Sequence, residues 1–453
     1  MLVSYLSYQD SDIRRIQKPK TTITVVEDSD DRRTIQKRKR TRTRTATTID
    51  DLPKSLVLEI LHRLDFKSAM RCRSVSKEWC SVVSDPSFAR YFVNRSIVDH
   101  HHCPFTLLLQ YDAPWAKNKN ILFPLEEEPY FKSLPYVPPI YQQNVDISIR
   151  ASCHDLLLCY AVVAGYNTAG VYYVVNPITG QWNALPPLPD HYTYIDSEWP
   201  RVGLICNYGT LHHKQQQQIS FRVMFVPEFE NIPMEFKVQI FSSDTSKWKA
   251  YMVLCPAPHR FVSWIFSFQA VPYNGLLFWC GEDFLVGLDP YNSGCCRCFQ
   301  LPLEWNTGYG CHTLGLCNGA LRISQLSGIH YPNFPAYVLS VWDLNNYDED
   351  EGGEGGKWCL EHQLCLKQMV SEKSPWLTNV VKKNPYLLIL ACHPNDRDIF
   401  YLKINSTVVS CNLRRNTLEV VRDLPDDCPH ALFNVLDFVL PCWPTPIHSS
   451  PFL

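Results

Sequence analysis

The side chains with most potential chemistry fall into three clusters. His100, His101, His102 and Cys103 run together, Cys295, Cys296 and Cys298 crowd a second stretch, and residues 348–354 read DEDEGGE. Imidazoles and thiolates hold zinc when four of them fold around one ion at a characteristic spacing. Neither cluster has a second ligand group at that spacing, and adjacent strand residues point to opposite faces. Both read as loop or strand residues, not as metal ligands. The DEDEGGE run would attract a cation, but its glycines and unordered ligand spacing fit a solvated loop better. The chain has no phosphate-binding loop, no Gly-x-Ser-x-Gly, no His-Glu-x-x-His and no paired Cys-x-x-Cys motifs. No catalytic residue, metal or cofactor is therefore expected, and the chain reads as a non-enzyme.

Composition narrows the class. The chain has 453 residues, 45 % of them hydrophobic, with 13 % aromatic and only 19 % charged, and it carries 33 Pro against 18 Gly. Disordered and coiled-coil chains need more charge than this, so many short strands joined by Pro-marked turns are expected. The net charge of −2 excludes a globally basic nucleic-acid binder. It hides a local asymmetry, because Arg32, Arg33, Lys37, Arg38, Lys39, Arg40, Arg42 and Arg44 form a basic run. That run has two open readings, a nuclear-import or nucleic-acid contact and a solvated tail. The N-terminus lacks the apolar core of a secretory signal, which points to a reducing compartment, cytoplasm or nucleus. The 19 Cys then read mostly as small buried hydrophobes. The uncharged stretch 156–175 resembles a membrane span, but Asn167-Thr168-Ala169-Gly170 divides it into two β-rich runs. We read it as a hairpin of two buried strands.

The elements that must position any site begin near residue 48. Leu52, Leu56, Ile60 and Leu64 recur every four residues, widened by Val57 and Leu61, so one face of a helix is apolar. Pro53 fits a first helical turn, and Asp50 and Asp51 suit the helix dipole. A second helix aligns Ala69, Cys72, Val75, Trp79 and Val82, Asp85-Pro86 halts it, and Phe88, Tyr91 and Phe92 supply a third short face. A segment of this size hardly buries enough surface to fold alone, so its apolar faces need a partner.

Leu52-Pro53, Leu56, Glu59-Ile60-Leu61, Arg63-Leu64, Lys67-Ser68, Arg71, Val75-Ser76-Lys77, Trp79 and Asp85-Pro86 closely resemble the F-box motif. Asp65, Met70 and Cys72 depart from it, and only Asp65, where Pro is common, touches the turn geometry. The resemblance implies docking onto a Skp1-like adaptor, and through it a cullin, in a Skp1–cullin–F-box ubiquitin ligase. The Skp1-binding residues it implies are Leu52, Pro53, Leu56, Ile60, Leu61, Leu64, Val75 and Trp79. Packing inside the helical module is the other reading of Ile60, Val75 and Trp79.

After residue 150 the chain repeats a rough unit, a β-rich run, a polar turn and an aromatic or apolar anchor opening the next strand. The turns open at Asn176, Ser243, Asp289, Asp343 and Asn412, at intervals of 46 to 69 residues. Asn274-Gly275 and Asn318-Gly319 add tight-turn signals before further strands. Repeated units that cannot bury their faces alone suggest a β-propeller, with a pair of sandwiches as the alternative. Asn176-Pro177 with Thr179, Trp182 and Leu185-Pro186-Pro187 resembles the F-box-associated domain of plant-type F-box proteins, which is related to kelch propellers. Ser242-Ser243-Asp244-Thr245 with Trp248, and His393–Asp398 with Phe400-Tyr401-Leu402, fit as well. The Gly-Gly pair of a strict kelch blade is missing, and five copies leave the blade number open.

The expected fold is therefore a small all-α F-box three-helix module followed by an all-β, propeller-like domain. Its expected divisions are a disordered basic tail (1–47), the F-box (48–95), an irregular linker (96–145) and the propeller (146–445). The function implied is that of a substrate receptor, the F-box holding the adaptor and the propeller an unknown protein to be ubiquitylated. Neither a membrane nor a nucleic acid is expected as a partner. The alternatives are a Skp1-associated module outside a ligase that reads a glycan or small ligand, and an enzyme with its site in the propeller channel.

Overall fold

The structure is a computed structural model. It describes residues 52–64, 66–83, 85, 88, 105–112, 122–124, 145–163, 170–189, 201–207, 220–226, 235–254, 270–281, 284–292, 296–302, 311–327, 337–345, 357–383, 385–424, 432–439, 445 and 447. The basic tail, His100–Cys103, Cys295 and the acidic run 348–354 lie outside the described residues.

The helical segment contributes α1 (Lys54–Arg63), α2 (Phe66–Cys72) and α3 (Lys77–Val83). Pro53 directly precedes α1, where a missing N–H costs nothing. Ser76 caps α3, its Oγ accepting the Trp79 N–H at 3.1 Å. Val57, Leu61, Ala69, Trp79, Val82 and Val83 are buried.

Two strands follow, β1 (Phe105–Asp112) and β2 (Leu122–Pro124), in the segment expected to be an irregular linker. That expectation is corrected: both are sheet strands. The reason lies at the other end of the chain. β1 pairs antiparallel along its whole length with the last strand, Leu432–Val439, from Phe105 opposite Val439 to Asp112 opposite Leu432.

Between them lie five four-stranded antiparallel blades. The first holds β3 (Val145–Cys153), β4 (Leu156–Val163), β5 (Val171–Asn176) and β6 (Gln181–Ala184). The second holds β7 (Arg201–Asn207), β8 (Ser220–Val226), β9 (Glu235–Ser242) and β10 (Lys247–Leu254). The third holds β11 (Val271–Tyr273), β12 (Leu276–Cys280), β13 (Phe284–Leu288) and β14 (Cys296–Gln300). The fourth holds β15 (Cys311–Cys317), β16 (Ala320–Ser327), β17 (Val338–Asn345) and β18 (Lys357–Cys365). A 3-10 turn (Leu366–Gln368) and α4 (Pro375–Lys382) precede the fifth: β19 (Leu387–Cys392), β20 (Ile399–Ile404), β21 (Thr407–Asn412) and β22 (Thr417–Asp423). The last strand is β23 (Leu432–Val439).

The first strand of each blade touches the first strand of the next, and β23 touches both β19 and β3, which closes the ring. The core lies between the sheets. One cluster joins Leu158, Tyr172 and Val174 of blade one to Leu204, Val223 and Phe225 of blade two. Another joins Leu339 and Val341 of blade four to Phe400 and Leu402 of blade five. Sheet β2-β1-β23 meets both neighbours: Leu108, Leu436 and Phe438 pack with blade one, and Leu107 and Leu109 with blade five. Central strands are thus buried on both faces, as in LLFWC of β12 and FLVGL of β13. This is the physical origin of the membrane-like stretch at 156–175, which forms the antiparallel pair β4 and β5. Among the described residues no helix is long and apolar enough to cross a membrane.

Candidate docking surface and channel mouth

α1 carries apolar residues on two adjacent faces. Val57 and Leu61 are turned inward, whereas Leu56 is 50 % exposed and Ile60 41 %. Val75, in the turn before α3, is 54 % exposed. Among the other residues named from the motif, Pro53 is exposed, Leu52 and Leu64 are half-buried, and Leu61 and Trp79 are buried. The row therefore divides into an outward set led by Leu56, Ile60 and Val75 and an inward set that builds the helices. His62 stacks on Phe88 with ring centroids 4.8 Å apart, which fixes the last turn of α1.

In the blades, three of the five repeated turns prove chemically alike, while Asp343 lies inside β17. Asn176 Oδ1 accepts the Ile178 N–H at 2.9 Å, Asp289 Oδ1 the Tyr291 and Asn292 N–H groups, and Asn412 Oδ1 the Arg415 N–H at 2.8 Å. A side chain that substitutes for a backbone turn is what Asn and Asp supply in these positions. The anchors after the turns tie blade to blade. Trp248 Nε1 of blade two donates to the Pro186 carbonyl beyond blade one at 2.7 Å, and Trp358 Nε1 of blade four to the Gln300 carbonyl of blade three at 2.8 Å.

The first blade is also bound to the chain's far end. Asn176 Nδ2 donates to Asp155 Oδ2 and to the Thr445 carbonyl, each at 2.7 Å, and the Thr445 N–H donates to Asp155 Oδ2 at 2.7 Å. Asp155 is fully buried, and burial outweighs these hydrogen bonds, so its carboxyl is pushed up to about 6.

At the centre of the ring a cavity of about 260 Å³ is lined by the ends of the inner strands, among them Cys153, His154, Cys206, Tyr273, Asn274 and Asp437. Asp437 also borders a smaller space of about 50 Å³ further along the channel, beside Cys392. Burial raises the Asp437 carboxyl to about 6. Cys153 Sγ lies 3.4 Å from His154 Nδ1. A hydrogen bond from Cys206 is the largest influence on Cys153 and draws its thiol well below the usual range; burial opposes this, and the His154 imidazole adds to the pull. Partial desolvation at the rim of the recess works to lower His154, an exposed residue, but the Cys153 sulfur and Asp155 outweigh it and raise the imidazole.

The linear sequence offers no spacing that singles out this group, since the ring brings together residues from blades one, two and three and from β23. The cysteines at 296 and 298 do share a face of β14, with sulfurs 3.8 Å apart. Among the described residues no group of His, Cys, Asp and Glu could hold a metal ion.

Comparison with known proteins agrees with both halves. Residues 49–91 match the F-box domain model, and residues 130–439 match the model described as F-box protein At3g26010-like, beta-propeller. Relatives in Arabidopsis thaliana include F-box protein At5g49610, 24 % identical over 70 % of this chain and 81 % of its own length. F-box protein At3g26010 is 24 % identical over 84 % of this chain and 81 % of its own. Putative F-box/kelch-repeat protein At1g15680 is 22 % identical over 88 % and 95 %. Among solved structures, the WD40 domain of SCAP from fission yeast aligns with 64 % of this chain and 66 % of its own at a TM-score of 0.26 and 10 % identity. With an F-box ahead of blades that match over more than half its length, the chain belongs to the F-box proteins carrying an At3g26010-like β-propeller.

Proposed function

We propose that this protein is the substrate receptor of a Skp1–cullin–F-box ubiquitin ligase. F-box proteins with propellers have this role in general, and the helical segment here has the surface the role requires. The observation that carries the reading is the exposure of Leu56 and Ile60 on α1 and of Val75 in the turn before α3, beside Val57, Leu61 and Trp79, which are buried. Exposed apolar side chains on so small a unit cost solubility unless a partner covers them, and a few such anchors supply most of an interface's affinity. Leu52, Pro53, Leu56, Ile60, Leu64 and Val75 meet the Skp1-like adaptor in this account, while Leu61 and Trp79 hold the helices that present them.

The propeller holds the protein to be modified, through loops or the channel mouth. The mechanism is proximity: tethering raises the effective concentration of target lysines near the charged conjugating enzyme. The chain itself catalyses no bond chemistry. It acts in the cytoplasm, the nucleus or both.

The test is affinity purification with the proteasome blocked, comparing the full chain with one lacking residues 50–95. The adaptor and cullin are expected with the full chain only, and a protein target with both. A target whose level stays constant when the helices are deleted would favour the second reading, a non-ligase binding module. The cavity of about 260 Å³ at the channel mouth is what favours that reading, because a glycan unit or small ligand needs such a recess.

A further inference from the structure

Three of the inner hairpins turn on two residues at the mouth of the channel. In blades three and four these are Asn274-Gly275, with φ of 44° and 77°, and Asn318-Gly319, with φ of 48° and 75°. Asn and Gly are the residues that tolerate this left-handed backbone. Blade one places His154-Asp155 there instead, with His154 at φ 54°. The turn does not call for an imidazole. What the imidazole does is meet a thiol: the reversal at φ 54° brings His154 Nδ1 to 3.4 Å from Cys153 Sγ, although neighbours along a strand point apart. The Cys206 thiol approaches from blade two, its sulfur 4.0 Å from the Cys153 carbonyl. All three line the cavity of about 260 Å³, with His154 an exposed residue at its rim and Cys153 buried at 3 % exposure.

We propose that Cys153 is a covalent capture site for small soft electrophiles of the α,β-unsaturated carbonyl class, with His154 as the proton donor. His154 first takes the Cys153 proton. The thiolate sulfur then adds to the β-carbon, and an S–C bond forms as the C=C electron pair moves onto the α-carbon. The imidazolium returns its proton to that carbon. All atoms of both reactants are retained, nothing leaves and nothing is oxidised. Reaction is stoichiometric and places a carbonyl-bearing group in the mouth of the channel. The dyad supplies what this addition needs, a thiolate held beside an acid in a recess, since the thiolate and not the thiol is the nucleophile. Four other thiols lack such a partner and are raised by burial, Cys159 and Cys411 to about 12 and Cys311 and Cys317 to about 11.

The test labels the folded full-length chain with acrylamide at pH 7 and maps adducts by peptide mass spectrometry. Cys153 is expected to react about ten-fold or more faster than Cys159, Cys311, Cys317 and Cys411. His154→Asn, which suits the backbone at this turn, is expected to slow Cys153 by about five-fold or more with the near-ultraviolet circular dichroism unchanged. Labelling of Cys153 at the rate of the four buried thiols would overturn the proposal. So would an unchanged Cys153 rate in a folded His154→Asn chain. If that variant does not fold, the parent chain's rates decide alone.

Discussion

Arg322 and Asp343 meet as a two-pronged ion pair inside blade four, Nε to Oδ1 at 2.6 Å and the second nitrogen, Nη2, to Oδ2 at 2.9 Å, with neither side chain open to water. The third nitrogen, Nη1, reaches across to the Arg397 carbonyl ahead of β20 at 2.8 Å, so one guanidinium fastens blade four to blade five. Its Cζ also lies 5.8 Å from the centre of the Phe400 ring. A buried pair of this kind adds little net stability over apolar packing, but leaving one half alone is costly. Asp343→Ala is therefore expected to lose about 3–5 kcal/mol in urea unfolding, and Arg322→Met/Asp343→Leu much less. Equal losses for the two variants would contradict this.

The tryptophan ties between blades are expected to act independently. Trp248→Phe and Trp358→Phe each keep an aromatic ring but lose the indole donor to Pro186 or Gln300. Each should cost about 1–2 kcal/mol, and the double variant the sum, because the two bonds join different blade pairs. Thermal unfolding of the three variants measures this directly.

Asp437 should make stability depend on pH. Its carboxyl is raised from 3.8 to about 6 by burial, so the folded chain keeps a proton that the unfolded chain gives up. Stability is lost as pH rises from about 4 to about 6, by up to about 3 kcal/mol, and stays lost above that. Asp437→Asn, which stays neutral, is expected to be more stable than the parent at pH 7 and no more stable at pH 4. Asp155 is raised in the same direction, and its contribution persists in both chains. Urea unfolding at the two pH values separates the outcomes.

Much of this architecture is legible in the sequence. The F-box residues from Leu52 to Pro86 stand in an order that local helix chemistry and the motif both explain. Asn274-Gly275 and Asn318-Gly319 announced their hairpins because few other pairs accept a positive φ at both positions. Trp248 and Trp358 were visible as anchors, but not their carbonyl partners some sixty residues back. The closure of the ring was hidden for a plain reason. Phe105–Asp112 finds the partner that pairs along its whole length in Leu432–Val439, and nothing local to either strand specifies that pairing. The same holds for the channel mouth, where Cys153, Cys206 and Asp437 are neighbours only because the blades are arranged in a ring. Of the motif residues, spacing alone did not separate Leu56 and Ile60, which face out, from Val57 and Leu61, which face in. The four lie on one broad apolar stripe, and only packing divides it.

That division gives the central claim its most direct measurement, co-purification of a Skp1-like adaptor with the full-length chain and two variants. Leu56→Asp/Ile60→Asp alters only exposed side chains and is expected to abolish adaptor binding while the thermal midpoint stays within a few degrees of the parent. Leu52→Ala/Pro53→Ala is expected to weaken it. Adaptor recovered at the parental level with folded Leu56→Asp/Ile60→Asp would contradict the account.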